Sequence, residues 1–173
     1  MRWFWIDRFT EFESGRRATA IKNVSLAEEH LHDHFPGAPL MPNSLVVEGL
    51  AQTGGLLVAE YGGFEERVVL AKISKARFHF YAVPGDTLRY ETTIEDIHKD
   101  GAMVSGTSRV GDRLQAEVDI FFAHLNEAAA GKSLFEPATF LGMLKMLGMF
   151  SVGRRADGSP LEIPPALAQA SRV

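Results

Sequence analysis

The chain has 173 residues and a formal net charge of −4, from 18 Lys and Arg against 22 Asp and Glu; this fits one domain with a buried core and gives no global basic field for nucleic acid. A composition of 46% hydrophobic and 23% charged residues belongs to a folded domain, not a disordered one. Cysteine is absent, which excludes disulfides, thiolate metal ligands and a cysteine nucleophile, and permits the reducing cytoplasm, the location expected here.

The opening MRWFWIDRF reaches Asp7 and Arg8 too soon for a secretory leader, so no cleavage is expected. Aromatic and β-branched residues over 3–13 predict a strand or a short helix entering one, and Ser14-Gly15 turns it into a second strand over 16–24, an N-terminal hairpin. Residues 31–43 contain Pro36, Gly37, Pro39 and Pro42, which forbid a continuous helix or a central strand and predict a shaped loop. Residues 44–60 lack proline and set Leu45, Val46, Leu50, Gly54, Leu57 and Val58 near helical spacing, predicting a mostly buried helix.

After Tyr61-Gly62-Gly63 the pattern turns to strands over 67–83, 87–98, 102–110 and 113–125. The last is the clearest: Leu114, Ala116, Val118, Ile120 and Phe122 alternate with polar residues, so one face is core. Asp100-Gly101 and Gly111-Asp112 are hairpin turns, and an antiparallel meander is expected. One long helix against five or six strands gives an α+β class over residues 1–125. Residues 126–173 form an extension: a small-residue linker at 128–131, an apolar helix over 140–150 with Met143, Met146 and Met149, and a loose tail rich in turn formers. The Met face is expected to pack on its own sheet, with a subunit contact or a flap over a substrate channel as the alternatives. The stretch 138–152 falls short of the ~20 residues that span a bilayer and contains Lys145, so no membrane span is expected.

His30, His32 and His34 alternate in HLHDH and would share one face of an extended chain, but no second ligand pair accompanies them and no metal site is expected. His79, His98 and His124 fall in strands without a visible partner. His34 differs because a proline-stiffened loop follows it and then a helix carrying Glu48 and Gln52. An imidazole accepts a proton near neutrality, and a carboxyl buried on an apolar helix is pushed toward the range in which it donates one. The pair is a candidate base and acid; a core glutamate satisfied by its neighbours fits the same spacing.

The run HFPGAPLMPNSLVVEGLAQ, residues 34–52, resembles the signature of the 3-hydroxyacyl-[acyl-carrier-protein] dehydratase family. Lys75-Ala76-Arg77-Phe78 with Val83-Pro84-Gly85-Asp86, and Asp7-Arg8 with Lys22-Asn23-Val24, extend the resemblance over about residues 3–125. It implies a hotdog fold, an antiparallel sheet wrapped around one long helix, with two subunits joining their sheets as a homodimer or a trimer of dimers. It also implies loss of water from a (3R)-3-hydroxyacyl thioester on acyl carrier protein, without a cofactor, with His34 as base and Glu48 as acid from different subunits. Glu48, where related dehydratase-isomerases hold aspartate, implies dehydration without double-bond isomerisation.

Gly37, Asn43 and Gln52 fall at positions expected to shape the loop, face the thioester oxygen and position substrate, and backbone N–H groups after Pro42 suit a developing enolate. Asn43 departs from the family's glycine, and its side chain is expected to crowd the thioester or narrow the substrate range. Lys72, Lys75 and Arg77 are the expected docking charges for an acidic carrier, or else ordinary exposed strand charges. A hotdog thioesterase and a non-catalytic acyl-binding subunit are the alternative functions.

Overall fold

The computed structural model describes residues 4–125 and 136–170; the small-residue linker at 128–131 lies outside them. Strands β1 (Arg8–Glu13) and β2 (Arg17–Asn23) form the predicted hairpin. A one-turn helix α1 (His30–Asp33) then precedes the long helix α2 (Asn43–Tyr61). Strands β3 (Arg67–Phe78), β4 (Thr87–His98), β5 (Gly101–Val110) and β6 (Arg113–Leu125) follow. The chain ends in α3 (Pro137–Met146), α4 (Met149–Val152), the two-residue β7 (Gly153–Arg154) and α5 (Pro165–Ala170). Among the described residues no helix is long and apolar enough to cross a membrane.

All seven strands share one sheet in the order β3-β6-β5-β4-β2-β1-β7, antiparallel except for the β1–β7 pair. The expected meander is corrected in one respect: β4, β5 and β6 follow one another, but β3 pairs with β6 at the edge instead of with β4. The predicted strand over 67–83 also stops at Phe78, where pairing with β6 ends. Beyond it His79 N–H donates to the Gln115 carbonyl and the Gln115 side chain donates to the Phe80 carbonyl.

Helix α2 lies against one face of this sheet. Val46, Gly49, Leu50, Thr53, Gly54, Leu57 and Val58 are buried there at three- and four-residue spacing, the stripe a 3.6-residue period brings to one side. At Gly49 the backbone rests on the Tyr90 ring; a Cβ there would stand 2.4 Å from Cε2. The expectation of a mostly buried helix holds for that face only. Glu48 is exposed, and Gln52, Gly55, Leu56 and Ala59 are partly covered.

Strand β3 repeats this asymmetry. Its register with β6 skips Ala71 and Ser74, so Leu70, Ile73, Ala76 and Phe78 all face the helix side although their spacing does not alternate. Leu70 and Ile73 are each 41% exposed, and the outer edge of β3 has no strand partner among the described residues. An edge without a strand partner offers its free N–H and C=O groups to another strand.

The extension closes the opposite edge. Instead of one helix over 140–150, Gly148 in the left-handed region (φ 73°) breaks the chain between α3 and α4. Met143 and Met149 enter the core and Met146 stays 62% exposed, so the Met stripe is core at two of its three positions. Residues 153–170 do not form the expected loose tail. Gly153 and Arg154 pair with Phe12 and Glu13, Ser14 N–H donates to the Arg154 carbonyl, and Leu161 and Leu167 are buried. These contacts leave β1 no free edge along that stretch.

Glu60, on the last turn of α2, sits under this extension. Burial raises its carboxyl above the ordinary range, opposed by a Ser14 hydrogen bond and the Arg155 charge, and its Oε2 has no partner. A carboxyl with a raised folded pKa holds its proton longer in the native state than in the unfolded chain, so stability declines as pH rises from the unfolded value through the raised one. Glu60→Gln removes the buried charge and keeps an acceptor for Ser14. Its melting temperature is therefore expected to exceed wild type at pH 7.5 and to match it near pH 4, as thermal scans at the two pH values would read.

Candidate active site

The two conspicuous motifs near the chain's start and middle meet in space. Asp7 Oδ2 accepts from Asn23 N at 2.7 Å and from Asn23 Nδ2 at 2.8 Å. Val24 N–H then donates to the Asp86 carbonyl, Gly85 N–H donates to the Val24 carbonyl, and Asp86 Oδ2 accepts from Val83 N at 2.9 Å. The 82–86 turn is thereby fastened to β2. It in turn holds the start of α2, because Met41 N–H donates to the Ala82 carbonyl.

The His34 loop is a second rigid unit. Phe35 and Ala38 exchange both backbone hydrogen bonds around Pro36-Gly37, and Gly37 takes a φ of 76° that a side chain rarely tolerates. The His34–Phe35 peptide is cis. Leu40 N–H donates to the His34 carbonyl at 2.8 Å, while His34 Nδ1 lies 2.9 Å from the Leu40 carbonyl. A carbonyl oxygen only accepts, so Nδ1 carries the hydrogen and, in the neutral ring, Nε2 holds the lone pair. Phe35 stacks on the imidazole with centroids 4.2 Å apart. The ring is therefore fixed in tautomer and plane, with its basic nitrogen turned away from the loop's own carbonyl.

Glu48 is held differently. On α2 it lies one turn before Gln52, whose Nε2 donates to Glu48 Oε1 at 2.9 Å, an i,i+4 contact of the kind helices favour. The Gln52 Oε1 accepts from Trp5 N at 2.9 Å. Gln52 thus orients Glu48 directly. Neither Gln52 nor Trp5 stands near the acid in sequence except by helical spacing in the first case; the 47-residue separation of the second leaves no local signal. The expected burial of Glu48 on an apolar helix is corrected: within one chain its carboxyl is exposed.

Asn43 opens α2. Pro42 precedes it as the cap and supplies the carbonyl to which Leu45 and Val46 N–H donate, leaving the first N–H groups of the helix, at Asn43 and Ser44, without an intrahelical acceptor. The Asn43 Oδ1 is buried and unpaired. Lys72, Lys75 and Arg77 pair with Phe121, Asp119 and Glu117 in register, on the outer face of the sheet, away from the helix. Lys75 Nζ lies 3.6 Å from Glu117 Oε1, and this positive charge lowers the Glu117 carboxyl.

The three clustered histidines diverge because α1 is a helical turn and not the extended segment that would align them. His30 packs its ring edge on Trp5 with centroids 5.2 Å apart, His32 Nε2 reaches the Leu26 carbonyl at 3.0 Å, and His34 turns to Leu40. Among the described residues no group of three or more His, Asp or Glu side chains could hold a metal ion. The remaining histidines do have carboxylate partners: His79, just past β3, with Glu117, His98 with Asp96 and His124 with Glu66. The His98–Asp96 pair is two residues apart on β4, a spacing that puts both side chains on one face, whereas the other two join distant segments and are not legible from spacing.

Comparison with known proteins agrees with this architecture and motif set. Residues 3–117 match the FabA-like domain model. The chain is 40% identical over 119 residues to the 3-hydroxyacyl-[acyl-carrier-protein] dehydratase FabZ of Desulforamulus reducens, covering 68% of this chain and 84% of that one. It is 40% identical over 124 residues to the FabZ of Symbiobacterium thermophilum, covering 71% and 87%. Among solved structures, smu.793 from Streptococcus mutans, crystallised with acetyl CoA, superimposes with a TM-score of 0.60 at 15% identity, covering 73% of this chain and 94% of that one. The extension lies beyond the matched domain, and the sheet-wrapped helix with its His34-to-Gln52 run places the chain in the FabA-like family of 3-hydroxyacyl-[acyl-carrier-protein] dehydratases.

Proposed function

We propose that the protein dehydrates (3R)-3-hydroxyacyl thioesters on acyl carrier protein to trans-2-enoyl thioesters, with His34 as base and Glu48 as acid contributed by two subunits of a homodimer. The observation that carries this reading is the hydrogen bond from His34 Nδ1 to the Leu40 carbonyl, which leaves Nε2 as the acceptor. In the reaction Nε2 takes the proton from the carbon beside the thioester carbonyl. The electron pair moves into that carbonyl and then forms the C2–C3 double bond as the C3–O bond breaks, and the Glu48 proton leaves with the hydroxyl as water. Return of the proton from His34 to Glu48 through solvent resets the pair, so no cofactor is required.

Charge develops on the thioester oxygen, and the unpaired N–H groups at the start of α2 suit it. Gly37 keeps the His34 loop in shape, and Asn43 stands where its carboxamide borders the same space. Gln52 holds Glu48 through Oε1, leaving Oε2 to carry the proton. The open β3 edge and the uncovered face of α2 around Glu48, Gln52 and Leu56 support a two-subunit site, since another copy pairing at β3 would bring a second helix beside the first. Lys72, Lys75 and Arg77 form a local basic row on a chain of net charge −4, which suits an acidic carrier. The cytoplasm is the setting that matches this chemistry, and residues 1–125 are sufficient for the catalytic unit, with 126–173 a separate extension whose Gly153 and Arg154 cover the β1 edge.

Mixing two inactive proteins tests the arrangement. His34→Ala and Glu48→Gln homodimers are each expected to be inactive, and after subunit exchange half the dimers carry one intact site. Enoyl formation should recover to about a quarter of the wild-type value by that two-fold symmetry argument. No recovery after demonstrated exchange would contradict a site shared between subunits.

A further inference from the structure

Gln52 presents a carboxamide whose two ends are nearly the same size, so its direction is set by its neighbours' hydrogen-bonding character. On one side stands Trp5 N–H, a group that can only donate, 2.9 Å from Oε1. The amide nitrogen must then face the other way, toward Glu48 Oε1 at 2.9 Å. The carbonyl oxygen of a carboxyl is its better acceptor, so the oxygen that takes this N–H is the carbonyl one and a proton carried by Glu48 in the reaction sits on Oε2. Were the amide reversed, its oxygen would face Glu48 and accept that proton, withdrawing it from a leaving hydroxyl.

Trp5 is itself clamped from several sides. Its side chain belongs to the core at 7% exposure, and Ile6 beside it is 1% exposed. Asp7 N–H donates to the Ile21 carbonyl at 2.7 Å, fixing the strand entry two residues on. The indole meets the His30 ring edge-on at 78°. Behind His30 the Lys22 Nζ, on a side chain only 9% exposed, is 2.7 Å from Glu28 Oε1, and Glu28 Oε2 is 3.8 Å from His30 Nε2. The backbone amide at residue 5 therefore has little freedom to leave Gln52.

We propose that Trp5 is a positioning residue for Glu48 of its own chain: its backbone N–H sets the direction of the Gln52 carboxamide and so the oxygen on which Glu48 carries its proton. The assignment rests on the dehydratase reading and adds a dependence of the acid, and not of the base, on the N-terminal strand entry.

Hybrid dimers separate the two. One chain carries Glu48→Gln and supplies His34; the other carries His34→Ala and supplies Glu48; differently tagged copies are co-expressed and purified as the mixed dimer. Trp5→Pro removes both the ring and the N–H, whereas Trp5→Ala removes the ring and keeps the N–H. In the chain supplying Glu48, Trp5→Pro should lower kcat about tenfold below Trp5→Ala, with KM within about twofold, the scale expected when a reacting group is misoriented. In the chain supplying His34, where the acid is already disabled, the two substitutions should give the same kcat. A folding defect of the proline variant would appear in both chains alike. Equal proline-to-alanine ratios in the two chains overturn the assignment of Trp5 while leaving the shared site standing. An inactive hybrid without any Trp5 substitution overturns the shared site, and the assignment with it.

Discussion

His34→Ala should lower the rate of enoyl-thioester formation by about 10²- to 10⁴-fold, the contribution typical of a positioned general base. The loss should appear in kcat, because the proposed role of the imidazole is on a proton that moves in the transition state. Stability should change little, by about 1 kcal/mol or less, since the ring is only half-buried and gives up one hydrogen bond to a carbonyl near solvent. His34→Asn distinguishes holding the loop from abstracting the proton. Its side-chain N–H can still reach the Leu40 carbonyl, but it has no basic nitrogen, so the loop should persist and turnover should still vanish. A thermal scan alongside steady-state rates reads both effects.

A large effect on stability is expected at Gly49. Tyr90, fully buried in β4, leaves room for no Cβ on the helix above it: the added atom would meet Cε2, Cζ and the hydroxyl oxygen at 2.4, 2.6 and 2.8 Å. An aromatic ring packed on all sides moves poorly, and overpacking costs about 1–3 kcal/mol or more. Gly49→Val should fall at the upper end, near 3 kcal/mol, with β-branching adding to the helix penalty. At roughly 2–4 °C per kcal/mol for a chain of this size, the melting temperature should drop by about 6–12 °C. The Tyr90 hydroxyl has no hydrogen-bond partner, and burial pushes its pKa far above the ordinary range. Tyr90→Phe should therefore be neutral or stabilising. Combined with Gly49→Ala it should recover part of the loss, because the hydroxyl is one of the three clashing atoms. Full additivity in that double mutant would show that the helix backbone moves away instead.

The elements that were legible in the sequence are those with a clean period or a specific turn. Strand β6 alternates cleanly from Ala116 to Phe122, with a register shift burying Gln115 before it, and α2 runs without proline from Asn43 to Tyr61, so both appear where expected. Strand β3 is recognisable as a strand, but its partner is not: the two register skips at Ala71 and Ser74 break the alternation that would reveal its faces, and pairing with β6 is a long-range choice. The extension misleads for a related reason. Its turn formers at Gly153 and Pro160 resemble a tail until Arg154 and Leu161 find the edge of β1 and the core.

At the site, the residue types and their chain positions were legible, and the atoms that orient them were not. The His34–Leu40 contact closes within six residues and could be suspected from the proline-stiffened loop; the Trp5–Gln52 contact joins the chain's start to its central helix and leaves no trace in spacing. The exposure of Glu48 is not legible because composition reports the whole helix, whereas the face bearing Glu48 is the one the sheet of its own chain leaves uncovered. That same uncovered face, beside the open β3 edge, is why the catalytic unit is read as a pair of chains.

The most direct measurement is product analysis of the wild-type protein with 3-hydroxybutyryl acyl carrier protein. The account predicts growth of enoyl-thioester absorbance with the thioester intact and no free thiol released. Release of free thiol without the enoyl signal, or an unchanged hydroxyacyl carrier, would contradict it.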